Sequence, residues 1–262
     1  MKIKHYLYNA FTIEEGKTKI AIDPGCNMKL FHMKSLIPKN EWKSFSHILV
    51  THGDPDHYVY ADKIAMESGA LLLCGKGLTK TVDSKNFILA PRRGGIKNWV
   101  AFDKVIPLKA GGKFEENDLS IEGIKTQHGA IYIPFLGLKI KKTPGPTERT
   151  GLGALGFKIS LGGTTIVNLG DTLFREEWAD LKPDVLMLPI GGLGNNTWTM
   201  DAIDALEAVK LIKPRRVIPC HYNVPFLFKK NAAPANEIAF KTKIEQLGIP
   251  CELMYCGDEI NI

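Results

Sequence analysis

No apolar run in this chain approaches the length of a membrane span, and the N-terminus, Met1-Lys2-Ile3-Lys4-His5-Tyr6, lacks the continuous apolar stretch of a secretion signal. A cytoplasmic protein with no membrane partner is the expectation. The five cysteines are an odd number with no CxxC pair, which excludes a thiolate zinc knuckle and gives no disulfide framework. Cys26, Cys74, Cys220, Cys251 and Cys256 are therefore expected to be buried, reduced thiols. Linkers and low-complexity tracts are missing, so residues 1–262 read as one α/β domain. There is little net charge, +6, spread over small clusters such as Pro91-Arg92-Arg93, Lys139-Ile140-Lys141-Lys142 and Lys213-Pro214-Arg215-Arg216. Runs of this kind are solvated faces or helix ends more often than nucleic-acid grooves, and nucleic acid is not expected as a partner.

What the chain does have is concentrated. In Thr51-His52-Gly53-Asp54-Pro55-Asp56-His57, two imidazoles and two carboxylates fall within six residues, directly after the apolar run Ile48-Leu49-Val50. Imidazole nitrogen and carboxylate oxygen are the donors that borderline divalent ions take, and the end of a strand can aim several of them at one point. Asp54-Pro55 also opens a helix, with Asp as N-cap and apolar Tyr58, Ala61, Ile64 and Ala65 along one face up to Gly69. Short strands are expected at Phe11-Thr12-Ile13, Lys19 to Ile22, Leu71 to Cys74, Val105 to Leu108 and Leu119 to Lys125. Gly162-Gly163 reads as the turn of a hairpin, and Asp184 to Ile190 as a buried strand. A helix from about Thr199 carries Ile203, Leu206, Val209 and Ile212; a last one carries Phe240, Ile244 and Leu247 before a strand from Cys251 to Tyr255. Three more ligand-type residues stand at strand ends: His128, Asp171 and His221. That recurrence raises a metal site well above what one short motif warrants.

With these residues in view, the chain resembles the metallo-β-lactamase superfamily, whose signature is H-x-H-x-D-H followed at long intervals by His, a bridging Asp and a final His. Gly170-Asp171-Thr172, Leu188-Pro189-Ile190-Gly191-Gly192, Trp198-Thr199-Met200 and Ile218-Pro219-Cys220-His221-Tyr222 are similar to the branch containing L-ascorbate-6-phosphate lactonase and related metal-dependent hydrolases. So are Asn9 to Ile13 and Ile22-Asp23-Pro24. The resemblance implies a four-layer αββα sandwich with two divalent metal ions between the sheet edges, zinc first and manganese or iron as alternatives. It also implies His52 and His128 on the first metal, Asp56, His57 and His221 on the second, and Asp171 bridging. Asp56 would in addition orient the catalytic hydroxide. Relatives of that branch assemble as oligomers, so a homo-oligomer is open, though no heptad marks one.

Asp54 departs from the signature, standing where the family has its second histidine. It is either a hard oxygen ligand that shifts preference toward manganese or iron, or the N-cap of the Pro55 helix, or both. Two divalent ions and a hydroxide would neutralise Asp54, Asp56 and Asp171, so the metal-free site is expected to protonate a carboxylate or scavenge metal. His5, His32 and His47 are read as packing or surface. Asp23 is read as a turn residue or the partner that orients a ligand histidine. Trp198 and Tyr222 are read as either lining the pocket or packing. The Gly/Pro-rich stretch from Lys139 to Gly153 reads either as a lid or specificity element, whose Lys141, Lys142 and Arg149 suit a small anionic substrate, or as an exposed basic loop with no substrate role. Hydrolysis of an ester, lactone or phosphoester is the leading function, against a di-iron oxidoreductase with a separate electron donor, an RNA-processing nuclease, or a non-catalytic binding protein.

Overall fold

The computed structural model describes residues 1–262 apart from 31, 91–97, 136, 137, 146–148, 195 and 196. The Pro91-Arg92-Arg93 cluster and part of the expected lid lie outside the described residues. Strands β1 (Lys2–His5), β2 (Phe11–Glu15), β3 (Thr18–Ile22), β4 (His47–Val50) and β5 (Leu71–Gly75) come first. A separate three-stranded sheet, β6 (Thr79–Val82), β7 (Lys85–Leu89) and β8 (Trp99–Ala101), interrupts them before β9 (Val105–Leu108). Next come β10 (Lys113–Glu116), β11 (Leu119–Ile124), the pair β12 (Ile131–Phe135) and β13 (Leu138–Lys142), and β14 (Gly156–Leu161). The last strands are β15 (Thr164–Asn168), β16 (Val185–Pro189), β17 (Arg216–Cys220) and β18 (Glu259–Asn261).

Two mixed sheets carry the architecture, one ordered β18-β1-β2-β3-β4-β5-β9 and the other β10-β11-β14-β15-β16-β17. Strands alternate their side chains between faces, so a strand covered on both sides must be apolar throughout. In β4, His47 and Leu49 alternate with Ile48 and Val50. Leu49 joins Ile20, Ile22 and Leu73 in the core between the sheets, facing Ile159, Ile166, Met187 and Ile218 of the second sheet. Ile48, Val50, Leu72 and Cys74 point the other way, onto helix α2 (Ala61–Ser68) through Ile64 and Ala65. The second sheet likewise turns Val167, Leu186, Leu188 and Val217 outward onto α3 (Ala202–Ile212) and α4 (Glu237–Glu245). Three apolar layers, helix on sheet, sheet on sheet and sheet on helix, make the αββα sandwich. Each fully buried Ile or Leu in them contributes about 1.5–3 kcal/mol.

Several expectations are corrected. The helix after Asp54 is broken into a single turn, α1 (Pro55–Tyr58), and α2, because Tyr60 takes φ +78° between them. Its hydroxyl donates to Met33 O at 3.0 Å and its ring meets Trp42, contacts that a continuous helix would forfeit. In α3 the buried stripe is Ala205, Ala208, Val209 and Ile212, whereas Ile203 is 69% exposed. This helix starts at Ala202, its N-cap Asp201 accepting from Ile203 N and Asp204 N. Among the described residues Cys251 to Tyr255 makes one bridge, Cys251 with Val217, and the edge strand beside β1 is β18 instead. Cys256, in the turn just after that segment, is exposed; the other four thiols are buried. Lys139 to Lys142 pair in β13 rather than forming a loop. Arg215, in the turn after α3, pairs with Asp184 at 3.3 Å, while Arg216 opens β17 and pairs with Glu252 at 3.0 Å.

Candidate metal centre

The donors sit at C-terminal strand ends, where an open α/β sheet places its ligands. His52 follows β4 in the first sheet; His128, Asp171 and His221 follow β11, β15 and β17 in the second. Asp56 and His57 come from the one-turn helix α1, whose termination at Val59 keeps both side chains at the sheet edge. The chain enters the left-handed region at Tyr8 (φ +55°), Asp23 (φ +45°) and His221 (φ +52°). Each such non-glycine position costs on the order of 1–3 kcal/mol, and all three lie on the loops that shape this site.

Seven donors converge in overlapping groups, His52/Asp54/His128, Asp56/His57/His221 and His52/His57/Asp171. In the first, Asp54 Oδ2 is 3.4 Å from His52 Nε2 and 3.3 Å from His128 Nε2. In the second, Asp56 Oδ2 is 3.4 Å from His57 Nε2 and 3.3 Å from His221 Nε2. Asp171 Oδ2 reaches both, 3.2 Å from His221, 3.6 Å from His57 and 3.9 Å from His128. Ligand bonds of about 2.0–2.1 Å in a tetrahedron put neighbouring donors about 3.4 Å apart, the spacing seen here. The Nε2 atoms of His52, His57 and His128 and Oδ1 of Asp171 are buried without a hydrogen-bond partner. Orphaned lone pairs of that kind, facing one point, fit cations.

Behind the donors is a buried polar network. Asp23 Oδ2 accepts from His57 Nδ1 at 2.7 Å, Thr51 Oγ1 at 2.6 Å and Asn9 Nδ2 at 2.6 Å, while Oδ1 accepts from Thr51 N at 2.7 Å. This fixes the His57 proton on Nδ1 and leaves Nε2 free to ligate. His128 Nδ1 is held the same way by Gly129 O at 2.6 Å. Asn9 and Asn168 exchange hydrogen bonds of 2.9 and 3.0 Å, and Asn168 Oδ1 also accepts from Gly170 N, at the start of the Asp171 loop. Asn9, Asn168 and Thr51 were not singled out as functional in the sequence. Asn168, a lone amide inside the apolar run Ile166-Val167-Asn168-Leu169, was the available signal.

Asp54 occupies the N-cap position of α1, but its side chain makes no capping bond. Oδ1 accepts instead from Gly151 N at 3.1 Å, leaving Oδ2 to His52 and His128. Gly151 has φ +62°, and a Cβ there would stand 2.6 Å from His128 Cβ, so only glycine brings this amide to Asp54. Arg149 is turned onto the same floor, donating from Nε to Gly53 O at 3.2 Å with its guanidinium over the Tyr58 ring. His5 is packing, bonded to Met254 O, and His32 is exposed. His47 faces Glu116 at 3.2 Å. Tyr222 lines a cavity of about 140 Å³ beside His221, and Trp198 packs against the Tyr8 cluster.

Charge in this site is set by mutual neutralisation. Burial pushes the Asp54 and Asp56 carboxyls up, but the imidazoles beside them win and hold both well below the usual range. Asp171 is held down to about 2 against the same burial, mainly by His221 and His57. Burial disfavours the His57 imidazolium, yet Asp56, Asp23 and Asp171 raise it well above its ordinary value; His128 is also raised, by Asp54 against the same burial. Burial keeps His52 low. These directions favour protonated His57 and His128 beside ionised carboxylates in the metal-free site, in place of the expected protonated carboxylate.

A family model for the β-lactamase superfamily domain matches residues 2–221. A UPF0173 metal-dependent hydrolase of Carboxydothermus hydrogenoformans is 30% identical over 99% of each chain. The chain belongs to this metal-dependent hydrolase family. A UPF0173 member from Desulforamulus reducens is also 30% identical, over 94% of this chain and 92% of its own. Among solved structures, Igni18, a metallo hydrolase of Ignicoccus hospitalis, superposes with TM-score 0.69 at 23% identity, covering 99% of this chain and 97% of that one. CmlA, a diiron β-hydroxylase of Streptomyces venezuelae, gives 0.65 at 11% identity, covering all of this chain and 54% of that one. Both likenesses show the fold, the metallo-β-lactamase fold with two mixed sheets.

Proposed function

We propose that this UPF0173 member binds two divalent ions, one at His52/Asp54/His128 and one at Asp56/His57/His221 with Asp171 shared, and hydrolyses an ester, lactone or phosphoester of a small anionic substrate. The observation that supports this reading is the convergence of seven donors, six of them buried, with the outer nitrogens of His57 and His128 already hydrogen-bonded. Bound divalent ions would supply Lewis acidity at a substrate oxygen and acidify a water. Asp56 is the one carboxylate of the three with appreciable solvent access, its side chain 15% exposed against 8% for Asp54 and 5% for Asp171. In this reading Asp56 orients the attacking water, accepts its proton as the new bond to carbon or phosphorus forms, and returns that proton to the departing oxygen. His57 is kept in its ligating tautomer by Asp23, and the Asn9–Asn168 pair holds the Asp171 loop against the Asp23 network.

The test is elemental analysis of protein purified without added metal, followed by a screen of lactones, carboxyl esters, phosphomonoesters and phosphodiesters with wild type, Asp56→Asn and Asp171→Ala. Two ions per chain and turnover abolished in both variants are expected. Turnover persisting in metal-stripped protein would end the reading. A second reading is carried by Asp54, because a hard oxygen donor in the first cluster suits iron better than a third imidazole would. Two irons with a visible absorption band and no hydrolysis would establish oxidoreduction instead.

A further inference from the structure

Beside the Asp56/His57/His221 cluster the chain carries a surface of a different character. Neither the segment from Pro24 to Asn40 nor that from Tyr222 to Asn236 contains an aspartate, a glutamate or an arginine. Both are rooted at the site. Gly25 presses so closely on the Asp56–His57 peptide that a Cβ would overlap it, and the second segment starts at the residue after His221. Backbone bonds join the two, Leu30 N to Leu227 O at 3.1 Å and Leu227 N to Met28 O at 2.9 Å. The Tyr8 hydroxyl ties them from below, donating to Pro225 O at 2.7 Å and accepting from Met28 N at 2.9 Å. On this braced platform Leu227 takes φ +51°, and the next residue, Phe228, stands 84% exposed. Met33 projects from the other segment, 51% exposed. Lys29, Lys34, Lys229 and Lys230 are all exposed, and none forms an ion pair among the described residues.

An aromatic and a thioether standing proud of unpaired lysines suit an anionic bilayer. The apolar groups enter the headgroup boundary, the ammonium groups meet lipid charge, and lysine stems reach between the two environments. A second copy suits the face less well, because a twofold contact would set lysines against lysines. RNA suits it less well too, since planar, bidentate phosphate recognition calls on arginine, which both segments lack. We propose that this face docks the protein on an anionic lipid bilayer, with Phe228 and Met33 inserted and the four lysines on the headgroups, holding the metal cluster next to the membrane surface. The expectation of no membrane contact rested on the lack of a spanning run. Among the described residues no helix is long and apolar enough to cross a membrane, and surface docking requires none. The proposal is independent of the reaction catalysed.

Co-sedimentation of the full chain with phosphatidylcholine vesicles, with and without phosphatidylserine, tests it. Binding only to the anionic vesicles is expected, weakened by salt. Phe228→Ser should weaken it roughly tenfold at low salt, and Lys229→Gln and Lys230→Gln roughly fivefold each. These exposed substitutions leave the fold intact, which an unchanged thermal melt verifies. No vesicle binding, equal binding to neutral vesicles, or wild-type binding by Phe228→Ser would overturn the proposal. So would Phe228-dependent dimerisation or salt-dependent binding of RNA in place of vesicle binding.

Discussion

Replacing Asp23 with asparagine separates the contribution of the network behind the donors from that of the donors themselves. The carboxylate is fully buried and accepts four hydrogen bonds, from Thr51 N, Thr51 Oγ1, Asn9 Nδ2 and His57 Nδ1. An isosteric amide has one acceptor oxygen, so it fails in either orientation. With its NH₂ toward His57, that imidazole must accept at Nδ1, and its proton moves to Nε2, the atom that has to offer a lone pair to the metal. With its NH₂ toward Thr51 N, two donors face each other and a buried backbone amide is left unpaired, at about 1–3 kcal/mol. Removing the outer hydrogen bond of a ligand histidine typically costs 10–100-fold in metal affinity, or about 1.4–2.7 kcal/mol. Metal-stripped Asp23→Asn, titrated with zinc against a chromophoric chelator, should therefore show one of two sites weakened by that factor. The weakened site should be the one that His57→Ala abolishes. Two sites of wild-type affinity in Asp23→Asn would refute the argument that the His57 tautomer is set from behind.

At the other cluster, Asp54→Ala should lower the metal count from two toward one by elemental analysis, because it removes the oxygen between His52 and His128 and frees the Gly151 amide. Gly151→Ala should act at the same place by strain: a Cβ 2.6 Å from His128 Cβ at φ +62° costs about 1–3 kcal/mol. At about 2–4 °C per kcal/mol for a chain of this size, the melt should fall by roughly 2–12 °C. Chelation should lower the melting temperature of wild type, since ions present at about 1,000 times their Kd contribute about 4 kcal/mol per site; an unchanged melt would count against a bound metal. The stripped protein should also acquire a distinctive pH profile. Asp54, Asp56 and Asp171 are depressed from 3.8 by their imidazole partners against the pull of burial, so their contribution is complete above 3.8 and lost as pH falls through their folded values. His57 and His128 are raised from 6.5 by carboxylates, again against burial, so theirs is complete below 6.5 and lost as pH rises through the folded values. His52, held low by burial, works in the opposite sense. A stripped protein whose melting temperature rises through neutral pH would contradict this balance.

The candidate donors were legible because their signal is local: residue types that ligate metal, placed at or soon after the ends of apolar strand runs. The sheets were legible because strands covered on both faces read as unbroken apolar stretches, as in Asp184 to Ile190. What was not legible depends on partners far along the chain. Gly151 and Asp54 are 97 residues apart, and nothing near either announces that one amide turns the other's carboxylate from cap to donor. Asn9 and Asn168 are separated by 159 residues, and although Asn168 stands out as an amide in an apolar run, nothing local names Asn9 as its partner. Tyr60 reads as a helix residue until Met33 O and the Trp42 ring offer its side chain better contacts outside the helix. The apolar run Cys251 to Tyr255 looks like a strand, yet it bridges Val217 once, while the less apolar Glu259–Asn261 finds the open edge of β1.

These long-range contacts also explain why the site and the fold are not separable parts. His52 hangs from the first sheet and His128, Asp171 and His221 from the second, so any ion they share crosses the seam between the sheets. Asn9 crosses the same seam, donating to Asp23 in the first sheet's loops and to Asn168 at the end of β15. The apolar core between the sheets stops at this edge, and buried polar bonds take over the work of holding the layers together. Each of those bonds ends on a group that orients a donor, either Asp23 behind His57 or Asn168 behind the Asp171 loop. Metal binding and sheet-to-sheet packing therefore draw on the same contacts. Loss of the ions should loosen the layers as a unit rather than fray one loop, because no single loop carries a complete ligand set.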